Sequence, residues 1–182
     1  MKHDYDLRHF SVPAFAKANS LWTGDAPLAQ FERLMAEAHD LGGGGVVHFE
    51  VQGTLRLDAS GAESVWLHVA AHVAVPLTCQ RCLGLVDVPL AFARDYRFVG
   101  TEAEAEAQDE VSDEDVLASS RDFNLLELIE DELLMELPPV PKHDECPVAL
   151  QFQVADADFD DAPVEKANPF AVLGQLKKKT LS

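Results

Sequence analysis

The sequence predicts an α+β fold, with an antiparallel β-meander of three or more strands packed against flanking helices. Three observations support this prediction. The chain alternates apolar and polar residues over 46–99, it carries two apolar stripes with helical spacing, and 47% of its 182 residues are hydrophobic. That fraction is enough for a real core. We expect a single domain over 1–150 with an acidic loop at 101–119. An acidic irregular linker and a short C-terminal helix should fill 151–182.

The meander is predicted from a period of two. Apolar residues alternate with polar ones from Val46, and after the turn "DASGAE" the alternation resumes and continues to Phe98. In the first two strands the odd-numbered side chains should face the core, and in the third strand the even-numbered ones. His48, His68 and His72 then lie together on the outer face, where we assign them no catalytic role.

Helices are predicted to flank the meander, one before it and one after it in the chain. One begins near Asp25 as its cap and ends at the glycine run 42–45. The other begins at Asn124, which forms a capping box with Glu127, and is ended sharply by a proline run. Its carboxylates at 130–132 are interpreted as the solvated side. The apolar stripe of this second helix consists of Leu126, Ile129, Leu133 and Leu137.

The formal net charge is −18, and it is unevenly distributed. Residues 101–136 hold 14 acidic side chains and Arg121 as their only base. Such a segment repels phosphate, so the composition argues against a protein that grips bare RNA over a broad surface. It favours a basic protein as partner. The loop 101–119 is itself most simply a solvated segment that keeps the protein in solution.

No motif of a known catalytic site is found. The run "LGGGGVV" precedes a strand and lacks the lysine of a phosphate-binding loop, and neither a G-x-S-x-G elbow nor an H-E-x-x-H motif occurs. From the sequence we therefore expect the protein not to be an enzyme. The apolar runs are short and the N-terminal "MKHDYDLRHF" is charged, so we expect no membrane segment, no signal peptide and a cytoplasmic location.

The stretch "LTCQRCLGL" places Cys79 and Cys82 three positions apart, at the tip between the second and third strands. A redox pair is disfavoured there, because no helix N-terminus is available to lower a thiol pKa. One alternative is a structural zinc site in a knuckle whose Gly84 relieves the turn, with His143 and Cys146 as the other two ligands. The other alternative is reduced thiols at a strand end with an unrelated histidine. A real site requires the four ligand atoms to lie within about 4 Å of one another.

The C-terminal stretch "NPFAVLGQLKKKTLS" ends in the compact basic patch Lys177, Lys178 and Lys179. The cap-like Asn168 and the proline after it are typical of a helix start. Two interpretations stay open. The segment is either a frayed basic tail or a short docking helix whose lysines contact RNA or an acidic surface.

Three stretches in this order, "LTCQRCL", "LLELIEDELLMELPPVPKHDEC" and "NPFAVLGQLKKK", resemble the large ribosomal RNA subunit accumulation protein YceD family. The resemblance implies a role in the synthesis, processing or stability of 23S rRNA, and it implies no enzymatic activity. Combined with the charge, it suggests a basic ribosomal protein or assembly factor on large-subunit precursors as partner, with rRNA contacted indirectly. The alternative is an enzyme of RNA metabolism with an unrecognised active site.

Overall fold

A computed structural model describes residues 5–39, 44–57, 61–112 and 114–148 of the chain. These residues belong to the first of two units into which the chain divides, Met1–Val148. The prediction of a linker and tail at 151–182 lies outside them. In chain order the elements are α1 (Val12–Lys17), β1 (Leu21–Pro27), a 3-10 turn (Leu28–Gln30), α2 (Glu32–Glu37), β2 (Val46–Leu57), β3 (Glu63–Thr78), β4 (Leu85–Val99), α3 (Glu102–Asp109), β5 (Asp115–Ala118) and α4 (Leu125–Met135).

The five strands form one sheet in the order β1-β2-β3-β4-β5. The first four are antiparallel neighbours, and β5 lies parallel to the end of β4. Val51 is opposite Val69 and Leu67 is opposite Tyr96, and all four side chains are buried on the same face. The predicted α+β fold and the predicted facing of the strands are confirmed, because the period-two pattern leaves only one register that buries the apolar side chains.

The core lies between this inner face and the helices α1, α2 and α4. Helix α1 approaches the sheet closely over Gly53. A Cβ atom at that position would lie 2.5 Å from the ring of Phe15 and 2.8 Å from the backbone of Ala16. Only glycine therefore allows α1 to rest directly on the backbone of β2.

The predicted helix from Asp25 is wrong at its start. Residues 21–27 form the edge strand β1, in which Asp25 is opposite His48 and its carboxylate lies 2.6 Å from the ring Nδ1. The helix itself covers only α2. Pairing with β2 extends over the whole of 21–27 and satisfies the backbone groups that face β2, and this pairing keeps Asp25 in a strand rather than at a helix cap. Helix α1 was not predicted.

The predicted acidic loop at 101–119 is wrong as well, because the segment contains α3 and β5. The hydroxyl of Thr101 caps α3 by accepting a hydrogen bond from the N–H of Glu104 at 3.3 Å. The carboxylate of Asp109 accepts the N–H of Val116 at 3.0 Å and so fixes the turn into β5. Acidic residues near a helix start are favoured by the helix dipole, so a charged composition did not exclude a helix here.

Helix α4 begins after Asn124 as predicted, and the Asn124 side chain accepts the N–H of Glu127 at 3.2 Å. The interpretation of its three central carboxylates as solvated is wrong for two of them. Glu130 and Glu132 are 5% and 7% exposed. Glu130 accepts hydrogen bonds from the backbone N–H groups of Arg33 and Leu34 at 2.7 and 3.2 Å, and it thereby joins α4 to the start of α2.

Candidate metal centre

The β3–β4 hairpin carries the Cys79-Gln80-Arg81-Cys82 motif in its turn. The N–H of Cys79 donates to the carbonyl of Gly84 at 2.8 Å, and the N–H of Leu83 donates back to the carbonyl of Cys79 at 2.8 Å. Leu83, rather than the expected Gly84, adopts the left-handed conformation, with φ at 59°. The turn is therefore closed by its own backbone, and its two thiols face the same way.

The segment that follows α4 packs against this hairpin. The carbonyl of Pro141 accepts the N–H of Gln80 at 2.8 Å. The guanidinium of Arg81 donates to the carbonyls of His143 and Asp144 at 3.0 and 3.1 Å. These hydrogen bonds hold residues 141–146 beside the hairpin, although 61 positions separate Cys82 from His143.

The four predicted ligand residues are brought together there. The Sγ atoms of Cys79 and Cys146 lie 3.9 Å apart, and Nδ1 of His143 lies 3.5 Å from Sγ of Cys82. All four ligand atoms lie within 4.8 Å of one another. Sulfurs bound to one zinc ion at about 2.3 Å in tetrahedral geometry lie roughly 3.8 Å apart. The spacing is somewhat wider than the expected 4 Å, and a small inward movement of the side chains would let the group bind a metal ion.

The sulfur atoms sit among hydrogen-bond donors. Burial alone raises the pKa of the Cys79 thiol, but the backbone N–H groups of Cys82, His143 and Arg81 donate to the sulfur and lower its pKa to about 5. For Cys82 the N–H of Gly84 lowers the pKa, yet burial and the neighbouring thiols raise it above the usual value. These hydrogen bonds favour the thiolate form of Cys79, the form in which cysteine binds metals.

Comparisons with known proteins identify the family of the chain. Residues 67–177 match the family described as "Large ribosomal RNA subunit accumulation protein YceD". The chain is 30% identical over 132 residues to a protein of that name from Haemophilus influenzae, an alignment that covers 71% of this chain and 75% of the relative. The chain belongs to the YceD family. No solved structure matches it.

In this YceD-family chain the matched range begins within β3 and includes all four cluster residues. Among the residues that the structure describes, this is the one group of histidine, cysteine and carboxylate side chains that could hold a metal ion. His48 and His72 stack on the outer face at 5.0 Å between ring centroids, as predicted, and lie outside the group. Lys177, Lys178 and Lys179 lie beyond the described residues. None of the described helices has the length and apolar character to cross a membrane.

Arg81 is the residue of this site that the sequence did not reveal. Its Nε donates to Sγ of Cys146 at 3.0 Å, and the hydrogen bond to this sulfur raises the pKa of the guanidinium. The fixed positive charge offsets the negative charge of neighbouring thiolates. Its position between the two cysteines of the C-x-x-C motif could have indicated a role at the site, because a side chain in such a turn lies close to the sulfur atoms.

Proposed function

We propose that the protein is a non-catalytic ribosome biogenesis factor that supports the accumulation of 23S rRNA, through its synthesis, processing or stability. The observation that carries the proposal is family membership, because the match spans 67–177 and the relative from Haemophilus influenzae is named for accumulation of the large ribosomal RNA subunit. The absence of a recognised catalytic motif in the sequence is consistent with it.

We propose further that the cysteine cluster holds a structural zinc ion. Three thiol sulfurs and one imidazole nitrogen are the ligands that zinc prefers, and four protein ligands leave no open position for a substrate. Cys79 and Cys82 would hold the ion from the hairpin, and His143 and Cys146 from the segment after α4. A bound zinc ion supplies cross-linking of two distant chain segments rather than chemistry on a substrate.

The partner we propose is a basic ribosomal protein or assembly factor on large-subunit precursors. Support comes from charge, because a chain with a net charge of −18 repels the phosphates of RNA and attracts a basic protein. Any contact with rRNA would then be indirect, or would pass through the lysines Lys177, Lys178 and Lys179.

The test is removal of the gene followed by measurement of ribosomal RNA. We expect mature 23S rRNA to fall relative to 16S rRNA, and large-subunit precursors to accumulate, with both effects reversed by the wild-type gene. Unchanged rRNA ratios and precursor levels in a clean deletion, including during growth in the cold, would contradict the proposed role. A second result would contradict the non-catalytic role. It is RNA cleavage by the purified protein that disappears when one of the protein's own side chains is substituted.

A further inference from the structure

A groove of about 490 Å³ runs between the start of β4 and the segment that follows α4. Each wall combines apolar and polar side chains. The apolar part consists of Val86, Val88 and Pro89 on one side and of Pro138, Val140 and Pro141 on the other. The second wall is fixed in place by the hydrogen bonds that tie residues 141–146 to the hairpin. The groove is therefore a formed feature of the fold.

The groove opens along a strand edge that has no partner among the described residues. Strand β4 pairs with β3 over most of its length, but β5 covers its other edge only at Tyr96–Val99. Pro89 lies within the uncovered part, and proline is tolerated in a strand where its nitrogen faces outward from the sheet. Since an antiparallel ladder alternates, the N–H groups of Ala91 and Ala93 face the same open edge.

Exposed apolar side chains occur on both segments that form the groove. Among the described residues, ten large hydrophobic side chains are exposed, and four of them lie on the hairpin or the segment after α4. These four are Leu83, Leu85, Val140 and Val148. Val140 lines the groove itself, and Leu85 directly precedes Val86, the first lining residue of β4. The groove is therefore a candidate interaction surface.

The charge of the groove selects the class of partner. Asp87, Asp144 and Glu145 line it together with Lys142, so carboxylates outnumber ammonium groups. We propose that the groove and the open edge of β4 bind an extended, basic segment of a partner protein, which adds to the sheet as a sixth strand. Its backbone would pair with β4, its apolar side chains would enter the groove, and its lysines or arginines would meet the three carboxylates.

This inference rests on the proposed function for the choice of a basic protein as partner. Strand addition follows from the open edge, because a helix laid in the groove would leave the N–H and C=O groups of that edge unpaired. RNA is disfavoured, since its phosphates would lie against Asp87, Asp144 and Glu145.

The test uses the full chain and a fluorescent ten-residue peptide that alternates lysine with valine, with binding followed by anisotropy at about 0.15 M salt, where the Debye length is about 8 Å. We expect the peptide to bind, and Asp87→Asn, Asp144→Asn and Glu145→Gln together to weaken it about tenfold. The matched control is Glu102→Gln, Glu106→Gln and Glu110→Gln, which removes the same charge around α3. The control should change the affinity by less than about twofold, because charges outside the groove are screened by salt.

Strand pairing is tested separately from charge. Ala91→Pro removes one outward N–H, and we expect an affinity loss of about threefold to tenfold. Two further peptides, one N-methylated at its valines and one at its lysines, cover both backbone edges of the strand. At least one of them should bind about as weakly to the wild-type chain, and this measurement does not depend on how well the proline variant folds. A decamer of single-stranded RNA and a peptide alternating glutamate with valine should not bind.

Equal loss in the groove and α3 variants would overturn the proposal by reducing it to general charge attraction. Undiminished binding of both N-methylated peptides would exclude strand addition. Tight binding of the RNA decamer would indicate RNA rather than a protein as the partner of the groove. Each result is independent of the rRNA measurement. If a gene deletion lowers 23S rRNA while these peptide tests fail, the proposed function stands and the docking groove does not.

Discussion

Two clusters in this protein are held together by different kinds of contact. Beside β1 and β2, five aromatic rings pack against one another with centroids 4.9 to 6.1 Å apart. They belong to Tyr5, Phe10, Phe15, Trp22 and Phe49. At the β3–β4 hairpin, by contrast, three thiols, one imidazole and the guanidinium of Arg81 meet, and exposed apolar residues lie nearby.

The difference indicates where a bound metal ion, as proposed above, would add to the stability of the fold. The aromatic cluster removes large apolar surfaces from water and is complete with its own side chains. The cysteine cluster concentrates polar, negatively chargeable groups, and these are best compensated by a cation. We therefore expect the first cluster to govern the global free energy of unfolding, and the second to govern a local segment in a metal-dependent way.

Phe15→Ala should produce the largest effect on stability. The side chain is 2% exposed and packs over Gly53 and against two other rings, so its loss leaves a cavity under α1. We expect the free energy of unfolding to fall by about 3–5 kcal/mol in denaturant titrations, with the zinc content of the folded fraction unchanged. A loss below about 1 kcal/mol would show that α1 is not part of the cooperative core.

Metal removal should have an intermediate and local effect. We expect purified protein to carry one zinc ion per chain. Chelation should make residues 141–148 sensitive to protease while the far-ultraviolet circular dichroism of the sheet persists. At free zinc about 100 times its Kd, the metal would add about 2.7 kcal/mol of stability. Binding should weaken as the pH falls, because protons compete for the thiolates.

A pair of histidine variants separates the cluster from the outer face of the sheet. His143→Ala should abolish stoichiometric zinc, whereas His72→Ala, which removes a histidine on the outer face, should retain it. Two results would contradict the zinc site. One is purified protein that contains no zinc and gives the same protease fragments with and without a chelator, and the other is equal loss of zinc in both variants. Cys79 and Cys82 would then be reduced thiols at a strand end.

The smallest effect is expected on the outer face, at Asp95. Burial raises the pKa of this carboxyl, but the hydrogen bond to His68 at 2.7 Å and the nearby Arg56 lower it below its usual value of 3.8. Because the folded pKa is the lower one, its contribution is complete above about pH 4 and is lost as the pH falls through the folded pKa. The pair is well exposed, so Asp95→Asn should cost less than about 1 kcal/mol at pH 7. Urea titrations at pH 7 and at pH 3 should show the difference between wild type and variant shrinking; a constant difference would contradict the assignment.

The sequence predicted the strands β2, β3 and β4 with their facing, because long alternating runs allow one register only. It did not predict β1. The stretch "LWTGDAP" contains glycine, aspartate and proline, residues that disfavour strands, and it is extended only because β2 supplies a partner. Buried Glu130 was also missed. It lies four positions after Leu126, on the buried side of α4. Helical spacing therefore placed it on the apolar face, but its charge led to the prediction that it is solvated.

All four residues of the cysteine cluster were named from the sequence as one of two alternatives, but local spacing supports only half of that set. The C-x-x-C spacing marks Cys79 and Cys82 as a pair, because two thiols separated by a tight turn converge. The pairing of that turn with His143 and Cys146 depends on how the segment after α4 returns to the hairpin. That path is set by the hydrogen bonds from the Arg81 guanidinium to the carbonyls of His143 and Asp144 and by the bond between Gln80 and Pro141. Hydrogen bonds to backbone carbonyls some sixty positions away leave no pattern in the sequence that would identify the accepting residues.

The parallel pairing of β5 with β4 gives the acidic segment a second constraint. Parallel neighbours need a crossover of a dozen or more residues, and the connection over 100–114, which includes α3, is only slightly longer than this minimum. The amino-acid composition of this connection can vary at positions whose side chains neither cap a helix nor form a hydrogen bond. Its length cannot be reduced in the same way. A shortened connection would leave β5 unable to reach β4, and the strand that leads the chain back toward α4 would be lost. The most highly charged part of the protein is therefore a connection between two parallel strands. The fold requires its length more than its charge.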